Sequence, residues 1–291
     1  MRFSYAESMT DPTFYLPLAR AAEDAGYDGL TVPESICYPR EAVSSYPYTP
    51  DGTRDFLENK PFLDPFTLIA AMGAVTDRIR FDTFVLKLPL RHPLLVAKQA
   101  SSVAVLTGNR LGLGVGTSPW LEDYDACDVP AEGRGRRCDE AIEVVRGLLP
   151  GGYFEYHGTV YDLPAVKISP VPSAPLPILV GGHAEPALRR AARLGDGWMH
   201  AGGDPVELAR SITRLHELRR EHGRADAPFE VHAISADAFS VDGVRRLEDL
   251  GVTNVIVGFR SPYGRELDDE PLQHKVDALR LYADDVIARC R

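Results

Sequence analysis

Three glycines alternate with aliphatic residues in Leu111-Gly112-Leu113-Gly114-Val115-Gly116. In an extended chain successive side chains point to opposite faces, so the aliphatic residues share one face and the glycines the other. The aliphatic face suits packing against helices. The glycine face leaves room for a flat ring to approach the backbone, although a bulky neighbour packed tightly there would use the same room. The run leads into Thr117-Ser118-Pro119-Trp120, which brings two hydroxyls and an indole to its end. A second run, Ile178-Leu179-Val180-Gly181-Gly182-His183, ends in two glycines just before a helical stretch. Backbone N–H groups at such a junction, with the positive end of the helix behind them, suit a phosphate; ordinary turn chemistry is the alternative reading.

Other reactive side chains fall at or just beyond the ends of short β-rich runs: Glu34, Ser35, Thr83, Lys87, Thr117, Ser118, His183 and His200. A metal hydrolase would need His183, His200 and Glu34 to converge. Barrel hydrolases of the amidohydrolase kind open with H-x-H on the first strand, where this chain has Ser4-Tyr5-Ala6, and no two histidines sit at ligand spacing on one element. No metal site is therefore expected. A serine triad is disfavoured too, since no G-x-S-x-G elbow is present. The residue that does acid–base work is not assigned by these patterns; Glu34, Ser35 and His200 are its candidates.

The elements that must carry these residues alternate regularly. Strands are predicted over Arg2–Tyr5, Asp28–Pro33, Ile79–Leu86, Arg110–Gly116, Pro177–Gly181, Gly197–His200, Phe229–Ser235 and Thr253–Phe259, each followed by a helical pattern. Asp64 and Pro65, for instance, read as an N-cap and first-turn proline. Eight strand–helix units predict a closed α/β fold, a (β/α)8 TIM barrel in one domain spanning 1–291. An open doubly wound sheet fits less well, because the first strand–helix turn carries no G-x-G-x-x-G. Two excursions interrupt the rhythm. Ser35–Leu63 follows the second strand, and its Tyr38, Tyr46, Tyr48, Phe56 and Phe62 predict an ordered lid over the C-terminal face, where such barrels build active sites. Pro150–Pro175 precedes the fifth strand, and Tyr153–Tyr156 with Val160–Leu163 reads as a small hairpin on the opposite face.

The charge balance, 32 basic against 42 acidic residues for a net −10, argues against a nucleic-acid or anionic-membrane partner. The four cysteines are scattered without C-x-x-C spacing, and no apolar run approaches a membrane span, so a cytoplasmic protein acting on a small molecule is expected.

Several ordered segments together resemble the luciferase-like monooxygenases, most closely the actinobacterial branch that uses the deazaflavin coenzyme F420. They are Arg91-His92-Pro93 with Ala97-Lys98, Leu106-Thr107-Gly108-Asn109-Arg110 with Gly114-Val115-Gly116, Arg134-Gly135 with Asp139-Glu140, Phe154 with His157-Gly158, Pro177-Ile178 with Gly181-Gly182, and Asp196-Gly197-Trp198. The likeness covers about residues 14–222. It implies a slightly irregular barrel, a homodimer, and a tricyclic ring in the mouth. The cofactor positions it implies are Thr83, Phe84, Val85, Gly114, Gly116, Thr117, Ser118, Gly181, Gly182, His183 and Trp198, with a non-prolyl cis peptide within Thr83-Phe84-Val85. F420 would restrict the chemistry to hydride transfer, whereas the alternative, FMN, would also allow oxygen chemistry. A long acidic cofactor tail would call for cations at the mouth, and Lys87, Arg260 and Arg265 are the candidates. The chain departs from the sugar-phosphate dehydrogenases of this group: Glu34-Ser35 stands where they carry Asp-His, and Pro119 lies near their Glu. The expected acid–base groups are thus missing, which leaves a non-catalytic flavin-binding barrel as a reading of another class.

Overall fold

Eight parallel strands close on themselves in the structure, a computed structural model that describes residues 1–46, 49, 51–261 and 263–291; Tyr48 lies outside the described residues. In chain order the strands are β1 (Arg2–Ala6), β2 (Gly29–Val32), β3 (Arg80–Thr83), β4 (Leu86–Lys87), β5 (Leu111–Gly116), β6 (Phe154–His157), β7 (Asp162–Val166), β8 (Ile178–Gly181), β9 (Gly197–His200), β10 (Glu230–Ile234) and β11 (Asn254–Val257). The sheet runs β3-β2-β1-β11-β10-β9-β8-β5, and pairing of β3 with β5 closes the barrel. β6 and β7 form a separate antiparallel hairpin.

The helices are α1 (Tyr15–Asp24), α2 (Pro65–Gly73), α3 (Pro93–Leu106), α4 (Leu121–Ala126), α5 (Arg134–Leu148), α6 (Glu185–Leu194), α7 (Pro205–Glu221), α8 (Val241–Leu250) and α9 (Leu272–Tyr282). Their starts follow from capping chemistry. Asp64 accepts the N–H of Thr67 at 3.0 Å ahead of Pro65, and Asp204 accepts that of Val206 at 2.8 Å ahead of Pro205.

Period-two alternation sorts the strand side chains into two environments. Phe3 and Tyr5 of β1, Leu111, Leu113 and Val115 of β5, and Trp198 of β9 join the large cluster shared with the helices. The inward faces stack in layers. At the bottom Ser4, Asn254, His232, Glu230, Arg80 and Asp82 form a polar network, with Arg80 donating to Asp82 at 2.8 Å and to Glu230 at 2.9 Å. Above it Leu179, Met199 and Ile256 form an apolar plug. Half-buried Ala6, Phe84, Val85 and Ile234 lie on this plug and form the floor of the C-terminal mouth.

One expectation is corrected. The third strand is not continuous over Ile79–Leu86. It breaks at Phe84–Val85, which is a cis peptide, and resumes as β4. The strand–helix pattern also did not show the short helix α4 over Leu121–Ala126.

Candidate active site

The glycines of β5 face the barrel interior, but the room they leave is largely filled. A Cβ on Gly112 would overlap the Asp82 carboxylate, and one on Gly114 would overlap the Thr83 carbonyl. Both positions are small because β3 fills the room beside them, with the Asp82 and Arg80 side chains at Gly112 and the Thr83 backbone at Gly114. Only Gly116 opens to the mouth. There, and at Gly181, a Cβ would come within 2.8 Å of a methyl of Val85. Val85 thus leans over two glycines at once, at the centre of the apolar floor.

The turn after β8 supplies the second feature. Gly182 has φ +117° in a region that favours glycine, and its carbonyl accepts the Trp198 indole N–H at 2.8 Å. Among the described residues the N–H groups of Gly182, Ala184 and Glu185 make no hydrogen bond, so they stand open where α6 begins. The Glu185 carboxylate is held by Arg214 at 2.9 Å and Arg189 at 2.8 Å.

The lid folds onto the opposite half of the mouth. Met9, Phe56, Leu57 and Trp120 form a small cluster with Tyr46 and Phe62 against it. The Tyr46 ring packs tilted against that of Trp120, 5.2 Å between centroids. Glu122 on α4 accepts the N–H groups of Val43 and Ser44 at 2.6 and 2.9 Å, and these bonds hold its carboxyl down at about 2 despite burial. A second loop, between β11 and α9, interlocks with the lid. Tyr263 packs edge-on to Phe56 at 5.2 Å, Arg265 pairs with Asp55 at 2.9 Å, and Lys60 donates to the Glu266 carbonyl. The mouth is roofed on the β1–β5 side and flanked by the glycine turns on the β8–β9 side.

Several predicted site residues do not reach the mouth. Thr83 is fully buried, and its hydroxyl donates to the Gly114 carbonyl at 2.7 Å. Gly114 itself is covered by Thr83 and Met199. Glu34 accepts the Lys87 N–H at 2.6 Å and pairs with Arg91, so it braces the chain after the bulge. Trp198 and His200 point away from the interior, into the sheet–helix layer, because the inward positions of β9 belong to Gly197 and Met199. The three expected tail-binding cations are all engaged: Lys87 with Asp123, Arg260 with Glu7 and Asp268, and Arg265 with Asp55. Phe84, Val85, Gly116, Thr117, Ser118, Gly181 and Gly182 lie at the C-terminal ends of the strands around the mouth, as does Ser35, whereas the His183 ring turns behind the β8 turn onto His200. Sequence reasoning missed Arg54 and Asp123, which lie buried together in the lid corner. Nothing in the sequence singled them out, since the loop and the short helix each carry several charged residues.

His183, His200 and Glu207 do gather, with the imidazoles stacked at 4.2 Å and 4°. Their hydrogen bonds nevertheless argue against a metal. His183 Nε2 accepts the Ala201 N–H at 3.1 Å, and His200 Nδ1 accepts the Gly202 N–H at 3.2 Å. Each ring's lone pair is taken by backbone, which leaves the proton of His183 on Nδ1 toward Glu207 at 3.3 Å. Parallel rings also aim their in-plane nitrogens side by side rather than at one point. Burial lowers both pKa values, that of His200 to about 4 with help from its neighbour, so both rings are neutral at pH 7 and can keep these acceptor bonds.

The profile described as luciferase-like monooxygenase matches residues 3–242. The chain belongs to the luciferase-like monooxygenase family. An uncharacterized protein of Mycobacterium tuberculosis is 63% identical over 289 residues, covering 99% of this chain and 100% of the relative. An F420-dependent glucose-6-phosphate dehydrogenase of Microbacterium testaceum is 29% identical over 213 residues, covering 72% and 59% respectively. Among solved structures, the monooxygenase RslO1 of Streptomyces bottropensis superposes with a TM-score of 0.78 at 18% identity, over 100% of both chains. This luciferase-like chain is therefore an oxidoreductase-type barrel, and no helix among its described residues is long and apolar enough to cross a membrane.

Proposed function

We propose that the protein is a single-domain, cytoplasmic, homodimeric oxidoreductase that uses F420 for hydride transfer to or from a small organic substrate. The observation that carries this reading is the juxtaposition of the Val85 bulge, leaning over Gly116 and Gly181, with the open N–H groups of Gly182, Ala184 and Glu185. The first is a seat for a flat ring; the second is a cradle for its phosphate. The cofactor, when bound, supplies the hydride chemistry. The chain's part is to orient and to exclude water: Phe84, Val85, Ala6 and Ile234 would hold the ring from below, and the lid aromatics would shield it from solvent. His183 and Trp198 hold the phosphate turn from behind through Ala201 and Gly182. Ser35, half-buried and with no hydrogen bond to its hydroxyl among the described residues, is the candidate to meet the substrate. The F420-dependent relative favours F420 over FMN. With Lys87, Arg260 and Arg265 engaged elsewhere, the phosphate rather than an acidic tail anchors the cofactor.

The test is parallel fluorescence titration of the protein with F420 and with FMN. Tight binding of F420 alone is expected, with Gly182→Asp abolishing it by placing a carboxylate against the phosphate. Tight binding of FMN alone would replace hydride transfer to F420 by an FMN-dependent reaction. Unchanged affinity in Gly182→Asp would reject the turn as the phosphate site.

A further inference from the structure

Lys87 occupies an inward position of the barrel wall. Of the two residues in β4, Leu86 joins the cluster shared with the helices, and Lys87 stands in register with Gly116 of β5. Register partners in a parallel ladder point their side chains to the same face, so the Lys87 stem rises from the inner wall beside Gly116, two residues beyond Val85. It thus borders the apolar floor rather than the helix layer. Its ammonium is buried, pairs with Asp123 and lies 4.4 Å from the Trp120 ring. An ammonium has three N–H donors, and among the described residues the Asp123 carboxylate accepts the only hydrogen bond that Lys87 Nζ makes.

A buried ion pair is weak as a brace, because desolvation offsets most of its attraction and apolar residues of like size often do as well. Burial pushes the Lys87 ammonium below the usual lysine range, against the pull of Asp123 and Glu34. The groups around it tolerate its neutral form. Asp123 of α4 also faces Arg54 of the lid at 3.4 Å, and a guanidinium keeps its proton. Glu34 is held by Arg91 and by the Lys87 backbone N–H, and Glu122 by the N–H groups of Val43 and Ser44. The Ser118 hydroxyl and Cys37 thiol, 3.4 and 3.8 Å from Asp123, complete the surroundings. When Lys87 gives up its proton, every carboxylate nearby still has a cation or backbone N–H groups to hold it.

We propose that Lys87 is the general acid and base of this site, and that the substrate pair is a carbonyl compound and its alcohol. In reduction the carbonyl carbon receives a hydride, two electrons and one hydrogen, from a reduced deazaflavin. An N–H bond of Lys87 breaks and an O–H bond forms, so C=O becomes CH–OH. Lys87, then neutral, takes a proton from water before the next turnover, and oxidation runs the same steps backwards. An oxygen turning into an alkoxide is far more basic than an amine, so an ammonium is acid enough to protonate it. The assignment deepens the functional reading above and rests on it for the hydride.

Reach is tested first, on the full-length protein without cofactor. Propanal with cyanoborohydride alkylates only a neutral amine that the aldehyde can touch, and peptide mass spectrometry reads each lysine separately. Lys275, equally buried but paired with Glu7, Asp268 and Glu270, is the internal control. Lys87 should be alkylated with a pH midpoint below that of exposed Lys98 and Lys167, while Lys275 stays unmodified. A Lys87 as inert as Lys275 overturns the proposal. Turnover is tested next, with reduced F420 and propanal, acetone or cyclohexanone. Lys87→Arg keeps the charge beside Asp123 but not a proton it can release. It should bind F420 as wild type does, keep KM for the carbonyl compound, and lose roughly a hundredfold or more in kcat. Reduction by wild type should fall as pH rises past the Lys87 midpoint, a limb that Lys87→Arg lacks. Activity of Lys87→Arg within threefold of wild type, or a wild type that binds F420 yet reduces none of the three, also overturns the assignment. Failure to bind F420 or FMN would instead remove the cofactor reading, which the alkylation of Lys87 does not touch.

Discussion

Gly114 and Gly116 sit two residues apart on one strand face, yet they serve different ends. At Gly114 a methyl group would meet the backbone carbonyl of Thr83, which cannot rotate away. At Gly116 it would meet only a methyl of Val85. Gly114→Ala should therefore lose about 1–3 kcal/mol in urea unfolding, as overpacked interiors do. Gly116→Ala should cost less stability but lower cofactor affinity, because it raises the floor of the mouth. Equal unfolding midpoints for the two variants would refute the distinction. The same comparison shows where reading the sequence fell short. Alternation correctly turned the glycines inward, but it could not show that side chains and backbone of β3 fill the room beside two of them. Nor could it show that Trp198 and His200 lie on the outward face of β9, since that depends on Gly197 and Met199 taking the interior.

At the scale of elements, the barrel was readable because eight helical periods separate eight short β-rich runs, and caps such as Asp64 and Asp204 mark where helices begin. The candidate site was less readable because it is built by loops, whose contacts are set by the partner loop rather than by local period. α4 was missed for that reason: six residues, Leu121–Ala126, with no side-chain cap of their own. The lid's hold on the β11–α9 loop gives a prediction at this scale. Tyr263 touches both Phe56 and Tyr46, while the Arg265 pairs beside it are largely exposed and contribute little. Tyr263→Ala should speed cofactor dissociation severalfold in stopped-flow and open residues 35–63 to limited proteolysis, with the barrel's melting temperature little changed. A cleavage pattern identical to wild type would argue against the interlock.

For the whole molecule, acid is the condition to fear. Glu230, in the bottom network, is held well below the usual carboxylate range by His232 and the Arg80 and Arg2 guanidiniums, which outweigh the effect of burial. Glu122 is held at about 2 by the lid's backbone N–H groups. A carboxyl whose folded pKa is depressed contributes stability that is present above its unfolded pKa and is lost as pH falls toward the folded value. The fold should thus weaken from about pH 4.5 downward, where free glutamate begins to protonate. Glu122→Gln should flatten that decline in the lid's proteolytic protection but leave the barrel's acid unfolding, which Glu230 governs. Loss of both together would mean the lid and barrel do not respond separately.

The two interlocked loops spring from β2 and β11, the neighbours of β1 on either side. Tyr263 and Arg265 on one have their partners, Phe56 and Asp55, on the other. Changes of substrate range by drift in one loop would strand the residues of its mate, so the pair forms a single heritable unit. Grafting a relative's lid alone onto this barrel should give a poorly closing hybrid, and grafting both loops together should restore closure.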